Sequence, residues 1–284
     1  QFDERMLAKD YLGVIDFYNR LGDFPLAPDK VQPVVMGAAG AYTALEHPEE
    51  ASKVLKRALD RPGRPMPDER SILVQLAETY IAGKDYANAE STMNYFRSRF
   101  ETANDQATYY MVKSSIEMAQ NRPESAAGQL YFAMQASPDS TTQKELALKI
   151  GLLAFSQRNY PDALRYLRQG LGELLDEQYL PSTTQITPDQ RLGLTYLTDA
   201  AGAPEDYGAC LVLSRRQLAL LPEERMANFT RYQAAQAAFK GGYPATALAY
   251  LDALKKTDDA FWKHVGELRT EIATWYEKHN LPLQ

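Results

Sequence analysis

Apolar residues return along this chain at helical intervals, in paired stretches. The segments VVMGAAGAYTAL (34–45), ILVQLAETYIAG (72–83) and ALKIGLLAFSQ (147–157) each place apolar and small residues on one face of a 3.6-residue period. Each is followed by a short polar turn carrying Gly, Asn, Asp or Pro, as in EHPEE, GKD and QRNYPD; QNRPE (120–124) is a fourth turn of this kind. A second helical stretch then begins. Its apolar residues stand four and seven positions after a small one: Leu55 and Ala58 after Ala51, Met93 and Phe96 after Ala89, Leu130 and Ala133 after Ala126, Leu167 and Gly170 after Ala163. Those steps keep side chains on one helical face.

The small residue is the mark of a repeat. Val14, Ala51, Ala89, Ala126, Ala163, Ala209 and Ala247 hold the same place in seven similar segments, at intervals of 37, 38, 37, 37, 46 and 38 residues. About nine residues are added before Ala209, centred on DEQYLPSTTQIT (176–187). Between copies, RPGRPMPD (61–68) carries too much Pro and Gly to be helical throughout. Thr187–Pro188–Asp189–Gln190 reads as a cap, a proline in the first turn and a reciprocal Gln. Thr142 with Glu145 reads as a second helix start of that kind. The predicted units are 1–29, 30–67, 68–104, 105–141, 142–180, 188–224 and 226–257, with a cap at 258–280. In that cap Trp262, Val265, Leu268, Ile272 and Trp275 or Tyr276 share a face.

These residues resemble the tetratricopeptide repeat, a helix-turn-helix of 34 residues. With Ala89 set at repeat position 20, Leu73, Leu76, Ala77 and Tyr80 fall at positions 4, 7, 8 and 11, and Met93 and Phe96 at 24 and 27. Val35, Ala38, Ala39, Tyr42, Leu55 and Ala58 fit around Ala51. Ile150, Gly151, Ala154, Leu167 and Gly170 fit around Ala163. Around Ala126, Leu130, Ala133 and Pro138 fit, while Ser114 and Glu117 are poor. The resemblance spans almost the whole chain, with a period longer by three or four residues. It implies an all-α fold: one right-handed superhelical solenoid of about six helix pairs, in which each pair covers the open flank of its neighbour. Val14 further implies a shortened or missing first helix, hence an expectation that the chain is part of a longer array.

The resemblance also implies where a partner binds, since the first helix of each repeat lines a concave groove. Carried over by position, the partner-binding residues are Met36, Val74, Glu78, Met111, Met118, Leu148, Phe155, Tyr232 and Phe239. The alternative is that longer repeats shift the register and turn these residues toward neighbouring helices. The Lys and Asn that grip a terminal carboxylate in the family's chaperone clamps are absent. An apolar, Met- and aromatic-bearing groove suits an apolar peptide or helix.

Composition narrows the chemistry. The 284 residues carry 31 Lys and Arg against 37 Asp and Glu, a formal charge of −6, with no basic run of the kind that phosphate backbones need. Nucleic acid is therefore not an expected partner. No stretch is apolar enough for a transmembrane segment, and QFDERMLAKD lacks the basic start and apolar core of a secretory leader. Cys210 is the only cysteine and sits in an apolar helix, which suits a small buried hydrophobe. His47, His264 and His279 form no metal-ligand spacing. GAAGA (37–41) and GLG (170–172) are not phosphate-binding motifs and suit close helix packing. Glu49–Glu50, Glu223–Glu224 and Asp258–Asp259 stand near helix starts, where acids complement the helix dipole. No catalytic residue, metal site or cofactor is assigned. The expectation is a non-catalytic scaffold for a protein or peptide partner, a section of a larger bacterial assembly or export system. A regulatory module sensing a small ligand or peptide is the alternative. The compartment stays open between the cell envelope on its periplasmic side and the cytoplasm, and the oligomeric state is not set.

Overall fold

The computed structural model describes residues 2–21, 28–60, 68–203, 205–222, 227–255 and 259–282. The break at 61–67, together with Glu223, Glu224 and Asp258, lies outside the described residues. Among the described residues there are fifteen α-helices and no strand. They divide into two compact units, Gln1–Asp139 and Ser140–Gln284. The first contains α1 (Phe2–Leu7), α2 (Tyr11–Leu21), α3 (Pro28–Ala44), α4 (Pro48–Leu59), α5 (Glu69–Ala82), α6 (Tyr86–Arg99), α7 (Ala103–Ala119) and α8 (Pro123–Ala136). The second contains α9 (Ser140–Ser156), α10 (Tyr160–Leu171), α11 (Pro188–Gly202), α12 (Tyr207–Leu220), α13 (Ala227–Lys240), α14 (Pro244–Asp252) and α15 (Asp259–Lys278). Within each unit helices pack on their sequence neighbours. Contacts between alternate helices, α3–α5 and α5–α7 in the first and α9–α11 and α13–α15 in the second, add a second layer.

One turn is repeated seven times. The residues Lys9, Glu46, Lys84, Asn121, Arg158, Glu205 and Gly242 each join the two helices of a pair, and all have φ between 55 and 87°. A left-handed residue there ends the first helix and reverses the chain. The next N–H, of Asp10, His47, Asp85, Arg122, Asn159 and Tyr243, donates to the carbonyl five residues back at 2.8–2.9 Å. The same residue opens the second helix. Asp10, Asp85, Asn159 and Asp206 cap it by accepting an N–H from three residues on. Where His47, Arg122 and Tyr243 stand instead, a proline follows at once and removes a donor that would need a cap.

Four residues after that capping position comes the point of closest helix approach. Val14, Ala51, Ala89, Ala126, Ala163 and Ala247 are there, all 0% exposed. In α12 the position belongs to Cys210, which is buried, whereas Ala209 is only half-buried. The repeat mark of that pair is therefore Cys210 and not Ala209. The turn sets the register, and a match of residue type one position away does not. At the α9–α10 crossing two glycines let the backbones approach: a Cβ on Gly170 would lie 2.5 Å from Leu148 N, and one on Gly151 2.7 Å from Leu167 N.

Longer first helices contribute to the longer period in three of the pairs, where α3, α7 and α9 have 17 residues each. The α9 helix starts at Ser140, directly after the Pro138–Asp139 break. Thr142 and Glu145 thus lie inside its first turns and do not form its start. Thr187 and Gln190 do make a reciprocal box at the start of α11. Glu117, a poor fit to the repeat pattern, is buried but answered by Arg122 Nε at 2.5 Å. Under α15, Val265, Leu268, Ile272 and Tyr276 are buried against Ala235, Ala238, Ala247 and Leu251, with Trp262 and Trp275 half-covered.

The inserted segment is built into the second unit. Leu174 and Ile186 are 5% and 3% exposed and join the core around Leu167 and Leu197. The buried Arg216 donates through Nε to Leu174 O at 2.6 Å and through Nη2 to Tyr179 O. Arg191 donates to Ile186 O at 3.1 Å and to Thr183 O. Two guanidinium groups thus satisfy carbonyls that leave the helical ladder.

Six of the seven turn residues carry a side chain in a conformation that favours glycine. Arg158→Gly removes that cost and is expected to raise stability by about 0.5–1 kcal/mol. Arg158→Ala is expected to give no gain. Thermal or urea midpoints of the two variants against the parent check this.

Candidate functional site: a groove across α3, α5 and α7

The groove lies wholly in the first unit. Met36 of α3, then Arg70, Ser71, Val74, Gln75 and Glu78 of α5, line a space of about 490 Å³ with Asp68, Phe96 and, from α7, Asp105 and Thr108. Helical spacing explains the α5 set: residues 71, 74, 75 and 78 share one face. Three of the residues expected to bind a partner, Met36, Val74 and Glu78, are brought together here.

One wall is an electrostatic hinge between α5 and α7. Arg70 Nε is 2.9 Å from Asp105 Oδ1, and the Asp105 side chain is 7% exposed. The Arg70 guanidinium also lies 4.5 Å from the centre of the Phe100 ring. Asp105 closes a capping box, accepting from Thr102 Oγ1 at 2.6 Å and Thr102 N at 3.1 Å. Burial pushes the Asp105 carboxyl up. The Thr102 hydroxyl, the backbone N–H and the Arg70 charge outweigh it and hold the group below the ordinary carboxylate value. Asp68 is likewise satisfied, by Ser71 Oγ at 2.6 Å and Arg70 N at 3.2 Å. Glu78 is different. Its side chain is exposed to solvent, and the partial desolvation by the protein beside it pushes its carboxyl up. Among the described residues no cation pairs with it in the groove. Gln75 Nε2 donates to Met36 O at 3.1 Å, and Gln75 Oε1 is enclosed without a donor.

The other expected partner-binding residues do not join this groove. Met111 is half-buried and Met118 exposed, both on α7. Leu148 is 5% exposed, because it fills the space left by Gly170 and Gly193. Phe155 stacks on Tyr196 with ring centres 4.1 Å apart and meets Tyr160 edge-on. Tyr232 and Phe239 pack into the cluster that α15 covers, Tyr232 lying 5.6 Å from Phe261. Asp68, Arg70, Gln75, Asp105 and Thr108 were not singled out by the pattern of apolar residues. The visible trace of them is Thr102-x-x-Asp105, a helix-start signature.

A second concavity of about 500 Å³ lies in the second unit, between α9 and the insertion. Leu148, Leu171 and Leu174 form its apolar base, and Lys144, Lys149, Tyr179 and Gln185 stand at its rim. On α11, Asp199 accepts from Gln233 Nε2, and burial pushes its carboxyl up. Burial also pushes up the thiol of nearby Cys210, the opposite of what a nucleophile needs. Of the histidines, His264 Nδ1 is 3.1 Å from Glu267, and His279 stacks on Trp275. Among the described residues no three His, Cys, Asp or Glu side chains gather as metal ligands, and no helix is long and apolar enough to cross a membrane.

No protein-family model matches the chain, and no curated protein does. Solved structures do. A tetratricopeptide repeat protein from Parabacteroides merdae aligns over 88% of this chain and 89% of its own, at 16% identity and a TM-score of 0.46. A signal-transduction ATPase with numerous domains from Pyrococcus horikoshii, with a tetratricopeptide repeat sensor, aligns over 98% of this chain at 16% identity and a TM-score of 0.50. This chain spans 48% of that protein. The likeness concerns fold: the chain has the tetratricopeptide type of helical repeat, all-α and built from helical hairpins.

A capping acid with a lowered pKa contributes stability above its unfolded value, near 3.9, that is lost as pH falls through the lower folded value. Asp105→Asn is therefore expected to cost roughly 1–2 kcal/mol at pH 7 and progressively less in acid. Urea midpoints measured at pH 7, 5 and 3 check that convergence.

Proposed function

We propose that this protein is a non-catalytic interaction scaffold that holds a peptide segment of a partner protein across α3, α5 and α7. The observation that carries the reading is the convergence of Met36, Val74, Glu78 and Thr108 from three successive first helices on one open groove. Half-buried apolar side chains supply area and flanking polar groups set orientation. By analogy of fold alone, the partner is another component of a bacterial multiprotein assembly or export system, the setting in which such arrays recur.

A second reading, a sensor for a small ligand, is favoured by the cavity between α9 and the insertion. Its volume is that of a small-molecule site, and its wall is anchored by Arg191 and Arg216. The Pyrococcus protein's repeat sensor lends that reading the same kind of analogy.

Selection of a random peptide library displayed on phage tests the first reading. Recovered peptides are expected to lose at least about tenfold in affinity to Val74→Arg and to Thr108→Arg, a loss of about 1.4 kcal/mol. Circular dichroism melts confirm that each variant is folded. Peptides that bind both folded variants as well as the parent contradict the groove.

A further inference from the structure

The groove has a charge preference that its geometry defines. Among the described residues its lining has three carboxylates, Asp68, Glu78 and Asp105, and one cation, Arg70. Arg70 is committed to Asp105, at 2.9 Å, and Asp68 is engaged with Ser71 and the backbone of Arg70. That leaves Glu78 as the carboxylate whose charge is unanswered among the described residues. It stands one helical turn from Val74, on the same face, and one turn from Gln75. Gln75 is held in place beside it: Nε2 donates to Met36 O at 3.1 Å, and Oε1 is enclosed.

We propose that the groove selects a basic peptide segment: a Lys or Arg side chain pairs with Glu78, and apolar neighbours lie on Met36 and Val74. This rests on the groove reading above and specifies the partner's chemistry. An acidic segment meets a groove of net negative charge and is repelled. A neutral segment leaves the Glu78 carboxylate without a partner.

The probes are two fluorescein-labelled dodecapeptide pools of Ala, Leu, Ser and Gly, one with Lys at a third of the positions and the other with Glu. Fluorescence anisotropy is expected to show the parent binding the Lys pool about tenfold more tightly than the Glu pool. Glu78→Gln is expected to remove most of that preference while retaining weak binding, and Glu78→Lys to invert it. The chain's overall charge attracts basic peptides anywhere on its surface, so Glu124→Lys on exposed α8 serves as the control. It is expected to keep the preference. A parent that binds both pools equally, or a preference that survives Glu78→Lys, overturns the basic-segment proposal and leaves the groove standing. A preference that Glu124→Lys removes as fully as Glu78→Lys overturns it too. Absence of binding by either pool overturns the groove and the proposal together.

Discussion

Everything else in this chain depends on a recurring local constraint: one residue in the left-handed conformation, and a small side chain five positions later at the helix crossing. The left-handed residue ends one helix, and its successor caps or starts the next. The buried residue four positions after that successor then decides how near the two helices lie. Val14, Ala51, Ala89, Ala126, Ala163, Cys210 and Ala247 are the seven solutions. Larger residues there would force side chains off their rotamers or separate the helices. Once the distance is fixed, the apolar residues one and two turns on, such as Met93 and Phe96, have only the neighbouring pair to bury against. The hairpin is therefore the unit of structure and its neighbours are its core.

That constraint places the groove. Equal turns and crossings present the first helices of successive pairs in the same orientation, so Met36, Val74 and Glu78 arrive together. The Arg70–Asp105 pair ties α5 to α7 across the same surface, with Phe100 beneath the guanidinium. Asp105 thus does three things: it caps α7, spans to α5 and balances the one cation among the described residues of the groove lining. The charge left over is that of Glu78, and it gives the groove its sign.

Much of this was legible in the residues, and the failures have physical causes. Helical period, polar turns and alanine spacing were enough to read hairpins and their family resemblance. Ala209 was misread because alanine and cysteine are both small and adjacent; the turn at Glu205 distinguishes them, and so does Asp206–Tyr207, which stands before Cys210 as Asp85–Tyr86 stands before Ala89. Leu148 was misplaced because repeat position describes direction from the helix axis, whereas the glycines Gly170 and Gly193 draw that face into the core. The polar half of the groove was invisible to a search for apolar periodicity. The 35-residue separation of Arg70 and Asp105 becomes a contact only when repeats stack. The sequence showed where the insertion lies but not how it is held; the buried Arg216 of α12 is what anchors it.

The central claim is that turn geometry, and not residue type, sets the register. It is tested most directly by comparing the thermal unfolding midpoints of Ala209→Leu and Cys210→Leu. The account predicts that Cys210→Leu overpacks the crossing and lowers stability by roughly 1–3 kcal/mol, while Ala209→Leu costs clearly less. An Ala209→Leu variant that unfolds as early as Cys210→Leu, or earlier, would contradict it.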